Sequence, residues 1–273
     1  GSLVRGLATL IESQGNTIRC NTAVRRIRVD NGRATGVELE SGVVLDADVV
    51  VSNADSAATY RYLVPEEYSR RWSAKKLERS RFSMSLFVWY FGTNRRYEDV
   101  PHHMILLGPR YQGLLKDIFD TKVLADDFSL YLHRPTATDT SLAPDDCDTF
   151  YVLSPVPNLD GQTDWETAAE SYRQRIEAAL EATVLPDLAQ HTVTSRLLTP
   201  IDFRDRLFSF KGAAFGLQPI LTQTAWFRPH NRSEDIEGLY LVGAGTHPGA
   251  GMPGVISSAK VLDEVVPDPR PAA

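Results

Sequence analysis

The residues of this chain with the clearest capacity for chemistry crowd into Leu239 to Lys260, which reads LYLVGAGTHPGAGMPGVISSAK. An apolar strand runs into a turn with glycines at 243, 245, 249, 251 and 254, and then into the start of a helix. Glycine adopts positive φ and carries no Cβ, so such a turn lets backbone amides close on a ligand. Pro253 suits the first turn of a helix reaching about Val265. The positive end of that helix would point into the strand-end crevice where open parallel sheets bind ligands. Gly249, Gly251 and Gly254 satisfy the spacing G-x-G-x-x-G. A dinucleotide fingerprint, however, opens a βαβ unit of about 30 residues and is followed about 20 positions on by an acidic residue. The sequence closes at Ala273 and leaves no room for either. The turn is therefore expected to complete a nucleotide site whose first half lies elsewhere. A plain β-to-α connection is the alternative reading, but it requires fewer glycines.

The other candidates are weaker. His247, beside Pro248 in that turn, could serve as a base or ligand, since histidine as a residue type can exchange a proton near physiological pH. A loop side chain held by backbone hydrogen bonds is the favoured reading. His102 and His103 are adjacent but have no third ligand nearby in sequence, which favours a solvated turn or interface over a metal site. Asp139, Asp145, Asp146 and Asp148 lack the D-x-D-x-D-G order of a calcium loop and read as a solvated loop. Ser83, Ser85 and Ser129 lie on apolar runs without a G-x-S-x-G elbow, so nucleophilic catalysis has no support. Pro109 to Phe119 is amphipathic, with Leu114, Leu115, Ile118 and Phe119 opposite Arg110 and Lys116. It could dip into a membrane interface, although packing on the protein's own sheet is the commoner outcome.

The elements that must position these residues follow from patterning. Leu3, Leu7, Leu10 and Ile11 predict an amphipathic helix closed by Gly15. Because the chain begins inside such an element, with no initiating methionine, it is expected to be a fragment. Thr17–Cys20, Val24–Val29, Ala34–Glu40 and Val43–Leu45 predict strands, with turns at Asn31-Gly32 and Ser41-Gly42. The apolar run DVVVS (48–52) predicts a strand buried on both faces of a parallel sheet, followed by a helix start at Asn53-Ala54-Asp55. This block reads as part of a doubly wound nucleotide domain carrying a β-meander. Strands at Met84–Phe91, Phe128–His133 and Phe150–Leu153, with a helix over Thr163–Thr183, predict an inserted α+β domain between about Tyr60 and Gln223. The tail from Pro267 reads as frayed. A net charge of −6 and a pI near 5.6 argue against nucleic-acid binding. No apolar run approaches the ~18 residues needed to span a bilayer. Cys20 and Cys147 have no metal spacing or disulfide framework, so a reducing cytoplasm is the default.

Several segments together resemble the bacterial-type phytoene desaturases, the flavin-dependent carotenoid dehydrogenases. They are SNADSAATYRYL (52–63), SMSLFVWYFG (83–92), HHMILLGPRY (102–111), DDFSLYLHRPTATDTSLAPDDC (126–147), YVLSPVPNL (151–159), TPIDFRDRL (199–207), LTQTAWFRPHNR (221–232) and the glycine segment itself. The likeness covers nearly the whole chain but only the C-terminal part of the family, since the opening G-x-G-x-x-G βαβ unit that holds the FAD pyrophosphate has no counterpart. It implies an α/β fold: an incomplete doubly wound FAD-binding domain of amine-oxidase type (1–59 and 224–273) with an inserted α+β substrate domain (60–223), an antiparallel sheet plus helices. It implies FAD as cofactor and a long apolar polyene as substrate, desaturated by hydride transfer to flavin N5. Cofactor contacts are implied at Val24 near the adenosine end, and at Gly243, Gly245, Thr246, His247, Gly249, Gly251, Met252, Pro253 and Gly254. Those at Gly245, Thr246, Gly251, Met252 and Pro253 would be made by the backbone. Phe87, Trp89, Phe91, Tyr131 and Tyr151 could line the apolar tunnel, although strand alternation must turn half of them away. No catalytic base is assigned. The implied location is the cytoplasm, peripheral on the inner face of the cell membrane. On its own this chain is expected to be inactive and to hold FAD weakly. The alternatives are a sibling acting on a diapocarotenoid or hydroxylated carotenoid, and a non-enzymatic lipid-binding relative of the same fold. The dense glycines and Pro253 argue against the latter.

Overall fold

The computed structural model describes residues 1–268; residues 269–273, the end of the tail read as frayed, lie outside the described residues. Helix α1 (Ser2–Ser13) ends as its glycine predicts. Gly15 adopts φ +80°, its N–H bonds Glu12 O at 3.0 Å, and Asn16 N bonds Ile11 O at 3.2 Å. These two bonds satisfy carbonyls that every helix end leaves orphaned. The apolar stripe of α1, Leu3, Leu7, Leu10 and Ile11, is exposed. Thr17–Cys20, expected as a strand, is extended chain without strand pairing. A strand is defined by its ladder, and no described segment pairs with this one.

Strands β1 (Val24–Asp30), β2 (Arg33–Leu39) and β3 (Val44–Asp46) form an antiparallel meander. Asn31 (φ +48°) and Gly32 (φ +80°) make the tight turn between the first two. The hairpin twist demands positive φ at both positions, and Asn-Gly tolerates it best. Strand β4 (Val50–Ser52) is flanked in parallel by β10 (Leu239–Leu241), with Val50 opposite Leu239 and Ser52 opposite Leu241. The DVVVS run is not buried on both faces as expected. Val50 and Ser52 are buried, but Val51 is exposed, because this two-stranded sheet is covered on one side.

After β4 the chain enters α2 (Ser56–Ala58), capped by Asp55 accepting from Ala58 N at 2.9 Å, and continues in a wide turn over Thr59–Leu63. With α3 (Ala74–Arg79) these elements bury Trp72, Leu77, Phe82 and Phe210 against Ile27, Ala34, Leu239 and Leu241 in one core that joins the meander to the β4–β10 pair.

A five-stranded antiparallel sheet forms the rest, in the order β6-β7-β8-β5-β9. Its strands are β5 (Ser85–Thr93), β6 (His103–Leu106), β7 (Leu130–His133), β8 (Asp148–Val156) and β9 (Thr192–Leu198). Short helices α4 (Tyr111–Lys116) and α6 (Leu188–His191) sit in its connections, and α7 (Pro200–Leu207) follows β9. Helix α5 (Trp165–Glu181) lies where the 3.6-residue spacing predicts and covers one face. There Trp165, Tyr172, Ile176 and Leu180 pack on Phe87, Trp89, Phe91, Phe150 and Val152. Each fully buried aromatic or aliphatic side chain contributes roughly 1.5–3 kcal/mol. Phe87, Trp89 and Phe91 are therefore core, not lining. Tyr90, Tyr131 and Tyr151 stand on the opposite, more open face, with Val88 and Leu153.

The amphipathic stretch at 109–119 packs at home. Leu114 and Ile118 are buried with Ala125, Met84 and Phe119, while Leu115 and Tyr111 stay exposed. Asp148 corrects the reading of the acidic loop. It is fully buried, pairing with Arg134 Nε at 2.9 Å and accepting from Tyr97 N at 2.7 Å and Thr136 Oγ1 at 2.6 Å. Asp139, Asp145 and Asp146 are exposed as expected.

Candidate functional site

The glycine turn leaves β10, crosses over the β4–α2 connection and enters α8 (Met252–Val265). Val242 N donates to Ser52 O at 3.0 Å, and Asn53 Nδ2 donates to Val242 O at 3.0 Å. Ser56 Oγ donates to Gly245 O at 3.2 Å. The SNADS segment is thus the platform on which the turn rests. This contact explains two of the glycines, and the turn's packing on itself explains a third. A Cβ on Gly243 would come within 2.6 Å of Asn53 Nδ2, one on Gly245 would collide with Ser56, and one on Gly254 would lie 2.6 Å from Gly249 O. Gly249 (φ +131°) and Gly251 (φ +96°) are required by conformation. At Gly251 nothing lies within 4 Å of where a Cβ would fall, so this part of the turn faces open space.

A buried polar network holds the turn from below. Ser258 Oγ accepts from Gly243 N at 3.0 Å and from Asn231 Nδ2 at 3.0 Å, and shares a 2.9 Å bond with Thr246 Oγ1. Thr246 is fully buried, with its N–H and hydroxyl both directed to Gly243 O. It shapes the turn from the inside. Met252, Pro253 and Ala250 are exposed on the outer lip. No side chain caps α8, so its first-turn N–H groups keep their donor capacity. His247 is also exposed and opens into a cavity of about 560 Å³ lined by Trp226, His230, Val261 and Val265. Val24 lies apart from this group. It opens β1 opposite Leu39, on a sheet separate from the β4–β10 pair.

Two residues that the sequence did not single out as site residues sit against the turn. Arg228, inside the FRPHNR segment, is 5% exposed. Its Nη2 donates to Ala244 O at 2.6 Å, its Nη1 lies 3.3 Å from where a Cβ on Gly249 would fall, and its Nε is buried without a partner. It makes no ion pair with any carboxylate among the described residues, and burial pushes its pKa below the ordinary arginine value. A buried, unneutralised guanidinium is costly unless something anionic meets it. The signal was present in the quoted segment, but a lone arginine in a motif says nothing about its burial. Asp55 is the other. Its Oδ2 and Gly245 Cα both face Gly216, at 3.7 and 3.8 Å from that residue's Cβ position. Burial raises the Asp55 pKa, and backbone N–H bonds from Ala58, Ala57 and Phe210 counter the rise.

The fold and the turn define a class. Residues 1–261 match the family described as flavin containing amine oxidoreductase, and the chain belongs to that family. Within it, the sequence is similar to bacterial carotene desaturases. It is 48% identical to the neurosporene-forming phytoene desaturase of Rhodobacter capsulatus, over 99% of this chain and 53% of that one. It is 47% identical to the lycopene-forming phytoene desaturase of Pantoea ananas, over 95% and 53%, and 40% identical to the all-trans-zeta-carotene desaturase of Myxococcus xanthus, over 95% and 50%. The chain spans about half the length of these relatives. Among solved structures, an oxidoreductase from Methanosarcina mazei superposes with a TM-score of 0.64 at 20% identity, over 96% of this chain and 53% of its own. A putrescine oxidase variant gives 0.58 at 14%, over 93% and 50%. At such identities the likeness is one of fold.

The residues at the turn fit a flavin. Gly251 leaves an open approach, the first-turn amides of α8 are uncapped, and Arg228 supplies an unneutralised positive charge with an unpartnered Nε.

Proposed function

We propose that this chain is the part of an FAD-dependent carotene desaturase that carries the flavin-ring side of the cofactor site and the substrate sheet. The observation that carries this reading is the 48% identity over 99% of the chain, a span that includes both the glycine turn and the five-stranded sheet. When bound, FAD would supply a two-electron acceptor for hydride from one saturated carbon, the neighbouring carbon losing a proton to complete the double bond. The chain's own residues contribute electrostatics and an apolar surface. The α8 N-terminus and Arg228 place positive potential at the turn and would stabilise negative charge on a reduced flavin held there. The dipole alone contributes ~0.3–1 kcal/mol at an exposed helix end and up to ~2 kcal/mol when partly buried, and a preorganised charge in a dry site contributes more. The open sheet face, with Tyr90, Tyr131, Tyr151 and Leu153, offers a polyene an apolar surface that orients it and excludes water.

Peripheral membrane contact on the cytoplasmic side belongs to the same proposal, because the substrate is dissolved in lipid. Ile105, Leu107, Tyr111 and Leu115, around the end of β6 and α4, are exposed apolar residues suited to it. No described helix is long and apolar enough to cross a membrane.

The test is incubation of the protein at full natural length with FAD and phytoene in liposomes. Conjugated products with red-shifted absorbance are expected. A flavin-loaded protein that leaves phytoene untouched but oxidises a diapocarotenoid or hydroxylated carotenoid would move the assignment to that sibling activity.

A further inference from the structure

The histidine pair at 102–103 has a third partner that the linear sequence hides. His103 and His133 are directly opposite in the antiparallel β6–β7 ladder. Opposed side chains share a face, and the two rings stack with centroids 5.2 Å apart. His102, one residue before β6, folds over them at 4.3 and 4.6 Å. One nitrogen from each ring can be chosen so that all three lie within 4.8 Å of one another.

We propose that His102, His103 and His133 form a binding site for a divalent first-row transition ion of the imidazole-preferring kind, with Zn²⁺ as the first candidate. Three neutral nitrogen donors and no carboxylate suit Zn²⁺, Co²⁺, Ni²⁺ or Cu²⁺ and disfavour Mg²⁺ and Ca²⁺. The surroundings resemble the outer shell that such sites need. His102 Nδ1 is hydrogen-bonded to Thr138 Oγ1 and His103 Nδ1 to Tyr131 Oη, the latter at 2.7 Å. A ligating histidine characteristically has its other nitrogen held by a protein group in this way, which orients the ring. Nε2 of His102 and Nε2 of His133 face each other at 2.8 Å, a hydrogen-bond distance at which one proton lies between them. His133 Nδ1 is buried and bonded to nothing, so no other protein group opposes a change of tautomer there. Metal–nitrogen bonds of ~2.0–2.1 Å in a tetrahedron require N···N separations of ~3.3 Å. The close pair must therefore open by about 0.5 Å, a movement within reach of ring rotation. His103 is exposed, which leaves a fourth position to water or to an incoming ligand.

The site lies away from the glycine turn, although it shares Tyr131 with the proposed polyene face, and it can be tested without turnover. Metal-free, tag-free protein at full natural length would be titrated with Zn²⁺ by calorimetry and with Co²⁺ by visible absorption. The expected result is one Zn²⁺ per chain, the intense d–d bands of four-coordinate Co²⁺, and affinity weakened at least ~10-fold in His103→Gln and in Tyr131→Phe. His102→Gln, in the loop before β6, provides the same reading should His103→Gln fail to fold, as judged by circular dichroism. Absence of saturable Zn²⁺ uptake by the folded protein would overturn the proposal. So would uptake unchanged in the folded histidine variants, because the metal would then be held elsewhere.

Discussion

Replacing Asp148 by alanine should destabilise the sheet domain more than any surface charge change. The carboxylate is fully buried and its partner Arg134 is almost as dry, with side-chain exposures of 0% and 4%. Removal leaves two buried donors without acceptors, Tyr97 N and Thr136 Oγ1, which had bonded at 2.7 and 2.6 Å. The guanidinium keeps only carbonyl partners, Val100 O at 2.9 Å and Glu98 O at 3.4 Å. Leaving one partner of a buried pair uncompensated costs about 3–5 kcal/mol, and each orphaned donor about 1–3 kcal/mol, with overlap between the terms. A total near 4 kcal/mol is expected, which lowers the melting midpoint by roughly 8–16 °C for a chain of this size. Urea unfolding of Asp148→Leu, Arg134→Met and the double variant Arg134→Met/Asp148→Leu, alongside Asp148→Ala, closes the cycle and measures the coupling directly. The double variant should recover most of the loss, because apolar side chains of similar volume replace a buried ion pair at little cost. Single variants that each cost less than about 1 kcal/mol would refute the reasoning, since the pair would then be solvated and the acidic loop open as its sequence suggests.

Other outcomes follow from the site. Arg228→Met should change stability by no more than about 1 kcal/mol, because it removes a buried unpaired charge. It should also lower turnover about 10–100-fold and make the bound flavin harder to reduce, as read by kcat and a redox titration. Gly245→Ala should cost about 1–3 kcal/mol in urea unfolding, because the new Cβ meets Ser56 Cβ at 2.9 Å. Ser56→Gly in the same chain should restore part of that loss. Asp55→Asn should leave the unfolding midpoint unchanged or raised, since asparagine caps as well as aspartate and the buried charge is gone, whereas Asp55→Ala should lose about 1 kcal/mol. Tyr172 is pushed up to about 12 by burial, with the Ser154 hydrogen bond opposing, and Tyr151 is also raised to about 12, first by burial. A folded value above the unfolded one means that the stabilisation is complete below pH ~10 and is lost as pH rises from there through about 12. Unfolding midpoints across that window should fall, and less steeply in Tyr172→Phe.

Much of the architecture was legible because local patterning dictated it. The Asn31-Gly32 hairpin, the Gly15 helix stop, the Asp55 cap and the Trp165–Glu181 helix each depend on residues within one or two turns of each other. The glycine turn was legible for the same reason, being a strand, turn and helix written contiguously. What lay beyond reach depended on partners far away in the chain. Thr17–Cys20 has the composition of a strand, but a strand needs a neighbour, and composition cannot supply one. DVVVS reads as doubly buried, yet the number of covering layers is a property of the assembled sheet. Asp148 looked solvated among its acidic neighbours until Arg134, Thr136 and Tyr97 closed around it.

The sequence by itself determined the family, the flavin-type turn and the amphipathic faces, because side-chain type, spacing and backbone preference are carried locally. Tertiary structure alone decided which glycines serve packing against SNADS and which face open space, and it turned Phe87, Trp89 and Phe91 into core while leaving Tyr90, Tyr131 and Tyr151 on the open face. It also buried Arg228 beneath the turn without a counter-charge among the described residues and brought His133 to His102 and His103. The physical reason is common to all of these. Burial, charge compensation and ligand geometry are set by distances between segments, and those distances exist only after the sheets have paired.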